Sequence, residues 1–160
     1  VKELVTQKLQ ARFAHEIVSI NEYVGELTVV VKKHHVDKIC AFLKEEPELA
    51  FDSLRDVCGA DYYRPDERFE VIYNIYSLKN NFRLRVKVRV EEGDPHVPTV
   101  TGVWRAANWH ERETFDMYGI IFDGHPDLRR MYMPEEFEYY PLRKDFPLMG
   151  IPGSLPLPRK

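Results

Sequence analysis

Residues 69–90 read FEVIYNIYSLKNNFRLRVKVRV. Phe82, Leu84, Val86, Val88 and Val90 alternate with Arg83, Arg85, Lys87 and Arg89, the period of two of a strand with one buried face. Phe69 to Ser77 forms a second strand before it. Asn80 and Asn81 both tolerate positive φ, so a two-residue turn is predicted between the strands. That turn sets 75 opposite 86, 73 opposite 88 and 71 opposite 90, and the apolar sets then share one face. Val86 and Val88 should be buried, and Arg85 and Lys87 more exposed. The basic face is either a solvated surface whose aliphatic stems cover Ile72 and Tyr76, or a docking face for an acidic partner. The first is preferred, because exposed charge also protects sheet edges.

Upstream, Val5, Leu9 and Phe13 recur at i, i+4 and i+8, which predicts an amphipathic helix over 2–14. Residues 17–23 and 27–33 read as strands around a turn at Val24-Gly25-Glu26. Val29-Val30-Val31 is apolar on both faces, so that strand should lie inside the sheet. Val36, Ile39, Cys40 and Leu43 give a second helix, which Pro47 follows. Residues 51–61 are ambiguous by pattern between helix and strand.

Downstream, 91–98 is a loop. Thr99 is predicted to cap a helix presenting Val100, Val103, Trp104 and Ala107. Residues 109–130, WHERETFDMYGIIFDGHPDLRR, hold the densest mix of charge and aromatic side chains. Asn108 with Glu111 has the capping-box spacing, and Gly119 stands where a left-handed helix stop belongs. Arg112 and Asp116, four apart, are expected to pair. One or more of Glu111, Glu113 and Asp116 should bond Arg129 or Arg130. Charges among Trp109, Phe115, Met117 and Tyr118 leave no clean polar face, so they are expected to be paired and partly buried, either by this chain or by a partner.

The expected fold is α+β: a mainly antiparallel sheet with packed helices over 1–126, then an extended C-terminal segment over 127–160. Six of the eleven prolines lie in that segment, which predicts little regular structure apart from a short piece near Met131. Its apolar side chains are too many for a disordered tail, so it is expected to bury against another protein. The charged cluster Arg143, Lys144 and Asp145, framed by Leu142 and Phe146, should dock there.

Composition narrows the function. A net charge of −3 with scattered basic residues gives no footprint for nucleic acid. Two cysteines, Cys40 and Cys58, cannot alone supply an iron–sulfur cluster, which usually takes four thiolates. A disulfide between them is one reading; two free buried thiols in a reducing compartment are the preferred one. No signal peptide and no membrane-spanning run is expected. His96, His110 and His125 with the nearby acids form a remote alternative, a stand-alone metal-dependent enzyme, but no second histidine follows His110-Glu111 at zinc-protease spacing.

The motif 111–130, E-R-E-x-x-D-M-Y-G-I-x-F-x-G-H-P-D-L-R-R, followed by P-L-R-K-D-F-P at 141–147, resembles the thirty-kilodalton subunit of respiratory complex I. That is the C-type subunit family of the bacterial proton-pumping NADH:quinone oxidoreductase. The resemblance extends back through Ala107-Asn108-Trp109. It departs at Phe137-Glu138-Tyr139-Tyr140, where Tyr139 stands at the position of a family glycine. The resemblance implies an extended strand at 51–61. It also implies a core structural subunit of the peripheral arm with no catalytic site or cofactor of its own. NADH, FMN, iron–sulfur clusters and quinone would belong to partner subunits. The partners would be the forty-nine-kilodalton quinone-site subunit and neighbouring iron–sulfur subunits, at the cytoplasmic face of the bacterial inner membrane, reached only through the complex. Similar subunits serve a ferredoxin-dependent plastoquinone oxidoreductase and membrane-bound hydrogenases, which keeps the electron donor open. The motif residues, with the interface expected of them, are Trp109, Glu111, Arg112, Glu113, Asp116, Gly119, Gly124, His125, Pro126, Leu128, Arg129, Arg130, Pro141, Leu142, Arg143, Lys144, Asp145 and Phe146.

Overall fold

A computed structural model describes residues 1–151. Residues 152–160, the end of the predicted tail, lie outside the described residues. The chain forms α1 (Lys2–Phe13), β1 (Ile17–Tyr23), β2 (Glu26–Val31), a 3-10 turn at Lys33–His35, α2 (Val36–Glu45) and β3 (Ser53–Asp61). Then come β4 (Phe69–Ser77), β5 (Phe82–Val90), β6 (His96–Pro98), α3 (Ala107–Tyr118) and β7 (Ile121–Asp123). The main sheet has the order β1-β2-β5-β4-β3. Every pair in it is antiparallel except β2 with β5, which is parallel. A separate parallel pair joins β6 to β7. The α+β reading holds, and residues 53–61 are indeed a strand.

Alternation decides which face is covered. Val29, Val31, Tyr73, Ile75, Val86 and Val88 join Val5 and Leu9 of α1 and Ile39 and Leu43 of α2 in one buried cluster. Burying a side chain of this kind stabilises by roughly 1.5–3 kcal/mol. Val86 and Val88 are fully buried, while Arg85 and Lys87 are intermediate. On the outer face Arg85 bonds Glu26 at 2.8 Å, Lys87 bonds Glu70 at 3.1 Å and Arg89 bonds Glu67 at 3.1 Å. The basic strand is thus largely neutralised by its own chain.

Three local predictions are corrected. The β4–β5 turn is a four-residue loop closed by Ser77 opposite Phe82, so Tyr73 faces Val86 and Val71 faces Val88. The Asn80 amide donates to the carbonyls of Glu48 and Leu49, and Asn81 alone takes positive φ, at 46°. The register moves by two residues, which preserves parity and hence the buried face. Residues 100–106 form turns, not a helix, because the Glu111 carboxylate takes both the Thr99 hydroxyl and the Val100 N–H. Finally, Cys40 is buried as expected but Cys58, on the outer sheet face, is exposed; both are free.

Candidate functional site

α3 lies across β3. The Thr114 hydroxyl reaches the Val57 carbonyl, and a Cβ at Gly59 would stand 2.6 Å from the Tyr118 ring. The missing side chain therefore sets how closely α3 approaches the sheet. The helix begins one residue before Asn108, after Ala106, and has no side-chain cap. The predicted capping box fails because Glu111 turns inward, where it is fully buried. Gly119 ends the helix at φ 76°, its N–H on the Phe115 carbonyl at 2.8 Å.

Burial decides the charge chemistry of this helix. Desolvation pushes Glu111 up to about 7, against the opposing Thr99 and Val100 hydrogen bonds. His125 lies beside it, with Nε2 at 3.1 Å from the Asn108 carbonyl and Nδ1 accepting the Asp127 N–H at 3.0 Å. A ring nitrogen that accepts a backbone N–H carries no proton, so Nε2 is the donor. Gly124, at φ 82°, and Pro126 shape that turn.

Asp116 does not pair with Arg112. Its Oδ1 meets Arg130 at 2.9 Å, while Oδ2 accepts the N–H groups of Met131, Tyr132 and Met133 at 3.0, 2.7 and 3.1 Å. Burial acts to raise this carboxyl, but the three N–H groups and Arg130 outweigh it and hold it below the usual range. Arg112 instead donates to the carbonyls of Arg129 and Arg130 and stacks on Trp109, 4.8 Å from its ring. Helical spacing brings Arg112 near Asp116, but the backbone of 129–133 supplies better partners to both. Arg129 pairs with Asp127 in solvent, Leu128 packs on the core edge and Glu113 is exposed.

The second motif folds back onto the same region. Residues 127–146 form a strap with no helix or strand. From Pro141 onward it is seated on α3 and the end of β3. The Leu142 N–H bonds the Met117 carbonyl, and Arg143 Nε donates to the Tyr118 carbonyl at 2.7 Å. The Lys144 N–H donates to Asp61 at 2.7 Å, and Asp145 meets Arg68 at 2.8 Å. Phe146 packs against Phe137, their centroids 6.5 Å apart. A Cβ at Gly119 would lie 2.6 Å from Tyr140 and 2.7 Å from Arg143, so this glycine leaves room for the strap as well as ending the helix. The cluster Arg143-Lys144-Asp145, expected to dock on a partner, contacts this chain's own body. Tyr139 keeps negative φ and offers its carbonyl to Arg130, so the tyrosine is accommodated without strain.

Asp61 and Arg68, the strap's seat, are not singled out by the sequence. Both are buried, and they bond each other at 2.8 Å. Their only signal is charge at the two ends of DYYRPDER, between strands whose extent periodicity already marks. His96 pairs with Asp123 at 2.8 Å across β6 and β7. Among the described residues, no three His, Cys, Asp or Glu side chains are grouped to hold a metal ion. Burial also raises the Cys40 thiol far above its ordinary value, which disfavours the thiolate a metal would need.

The family model for the 30 Kd subunit of respiratory-chain NADH dehydrogenase matches residues 29–152, which include both motifs. The chain belongs to that family. It is 58% identical over 131 residues to a C-type subunit of NADH-quinone oxidoreductase from Rhizobium meliloti, covering 82% of this chain and 71% of that one. It is 50% identical over 143 residues to the corresponding NADH-quinone oxidoreductase subunit of Geotalea uraniireducens, covering 89% and 86%. Among solved structures, it resembles the trypsin-resistant fragment (1-134) of Nqo5, with TM-score 0.69 and 36% identity over 80% of this chain and all of that one. It also resembles a chain of the membrane-bound sulfane sulfur reductase, an archaeal respiratory membrane complex. There the TM-score is 0.73 and the identity 25%, over 92% of this chain and 85% of that one. Among the described residues, no helix is long and apolar enough to cross a membrane.

Proposed function

We propose that this chain is a non-catalytic scaffold subunit in the peripheral arm of an NADH:quinone oxidoreductase. It docks beside the forty-nine-kilodalton quinone-site subunit and the iron–sulfur subunits. Those partners hold FMN, the clusters and quinone, and carry electrons from NADH to quinone with proton translocation. The complex sits at the cytoplasmic face of the bacterial inner membrane. One observation supports the docking role above others: the two family motifs, separate in sequence, meet on one side of α3. Asp116 and Arg130 tie the first motif to the strap, and Arg143 ties the second to Tyr118. Around this junction Trp109, Tyr132, Tyr139 and Leu142 remain in solvent. Large exposed apolar side chains gathered around one structural junction are an interface feature.

The test is co-purification of the tagged chain from its host in mild detergent. Recovery of quinone-site and iron–sulfur subunits with NADH:quinone reductase activity is expected. Recovery of the chain alone would overturn the proposal. The likeness to the sulfane sulfur reductase chain supports a second reading, the same scaffold in a complex with a different electron donor. Ferredoxin-dependent reduction without NADH oxidation by the purified assembly would select that reading.

A further inference from the structure

The strap sorts its charges by side. Arg130 turns in to Asp116, Arg143 turns in to the Tyr118 carbonyl, and Asp145 meets buried Arg68. Phe137 follows them inward, against Phe146 and beneath the Arg130 guanidinium. The other side is different. Tyr132, Tyr139 and Leu142 are 60%, 47% and 53% exposed. Glu135, Glu136 and Glu138 lie between them, all exposed, and none forms an ion pair among the described residues. Elsewhere some exposed carboxylates find cations on this chain, such as Glu22 with Lys2, Glu26 with Arg85, Glu67 with Arg89 and Glu92 with Arg68, while others, such as Glu45 and Glu113, do not among the described residues. Along the strap Arg130 and Arg143 are committed inward and Arg129 pairs with Asp127, so no arginine of the strap forms an ion pair with these three glutamates.

We infer that the outward side of residues 132–142 is an interaction surface for a basic patch on a partner protein, one whose lysines or arginines sit among apolar side chains. The inference rests on the docking role proposed above and adds the chemistry of the partner. Apolar side chains among like charges supply area, while the charges select the partner and steer its approach. The inward hydrogen bonds fix the surface before the partner arrives, which lowers the ordering cost of association.

The test expresses the full chain carrying Glu135→Lys, Glu136→Lys and Glu138→Lys together, in the host lacking the wild-type copy. The substituted side chains are exposed, so the isolated chain should melt like wild type. The amount co-purifying with the other subunits should fall about tenfold or more, equivalent to at least 1.4 kcal/mol. The triple Glu→Gln variant should fall between the two. If wild type co-purifies and the lysine variant does so equally well, the inference fails while the docking role stands. If wild type itself does not co-purify, the docking role fails. If the isolated wild-type chain is a dimer that the lysine variant makes monomeric, the occupant is a second copy, and the inference is overturned.

Discussion

The Asp61 carboxylate and the Arg68 guanidinium meet at 2.8 Å, both buried, and each also grips one residue of the strap. Asp61 takes the Lys144 N–H and Arg68 takes the Asp145 carboxylate. Two substitutions separate the jobs of this pair. Arg68→Ala leaves Asp61 buried without its cation, and a loss of about 3–5 kcal/mol is expected by chemical denaturation. Asp145→Asn leaves the buried pair intact. It should barely move the denaturation midpoint yet speed tryptic cleavage after Arg143 and Lys144. Equal cleavage rates in Asp145→Asn and wild type would show that this contact does not hold the strap.

Acid should release both ends of the strap together. Asp61 and Asp116 are held below their ordinary values because hydrogen bonds and arginine outweigh burial. A carboxyl depressed in the folded state stabilises fully above its unfolded value, about 3.9. That contribution is lost as pH falls through the lower folded value. Stability should therefore decline below pH about 4, and Asp116→Ala should flatten the decline. An Asp116→Ala profile parallel to wild type from pH 6 to pH 2 would contradict this.

Glu111 should act with the opposite sign. Its folded value of about 7 exceeds the unfolded one, so the folded state binds its proton more tightly. Stability should fall as pH rises from about 4.5 to about 7, by roughly 3 kcal/mol in all. Glu111→Gln stays neutral and keeps an acceptor for Val100. The variant should match wild type near pH 5 and exceed it at pH 8. Equal stability at pH 8 would mean that the carboxylate is solvated when charged.

Gly119→Ala adds a Cβ at positive φ, 2.6 Å from Tyr140. The left-handed backbone alone costs about 1–2 kcal/mol for a residue with a Cβ. The clash should also displace the strap, so this variant is expected to combine a lowered melting temperature with faster cleavage after Arg143. A loss of stability with an unchanged cleavage pattern would place the damage in the helix end only.

Tyr73 is fully buried on β4, and its hydroxyl has no hydrogen-bond partner. An unsatisfied buried polar group costs roughly 1–3 kcal/mol. Tyr73→Phe removes it without emptying the core, so a rise in melting temperature is expected. A fall would reveal a partner for the hydroxyl.

Periodicity made the sheet and the first two helices legible, because side-chain alternation and helical spacing record which face is buried. The register of Tyr73 against Val86 was not legible. Parity survives a two-residue shift, and tethers of the turn to a distant segment, such as Ser77 and Asn80 on the Leu49 carbonyl, pick between the alternatives. Local spacing suggested both a helix after Thr99 and a pair between Arg112 and Asp116. In each case a partner distant in sequence competed better: Glu111 for Thr99 and Val100, and residues 129–133 for both α3 charges. The motifs were readable as a family mark, but their inward grip on Asp61 and Arg68 was not, since nothing in 141–147 names its acceptor.

The parallel pairing of β2 with β5 has a kinetic consequence. β1 and β2 are neighbours in the chain, and so are β3, β4 and β5, so each group can zip through short turns. The seam between them joins Leu27 to Leu84 and Val31 to Val88, across 57 positions in each case (84 − 27 and 88 − 31). Closing so long a loop costs entropy before any contact returns it. The two meanders should therefore form early and meet late. Until they meet, β2 and β5 each present a bare apolar edge, and crowding at that stage favours joining the wrong chain.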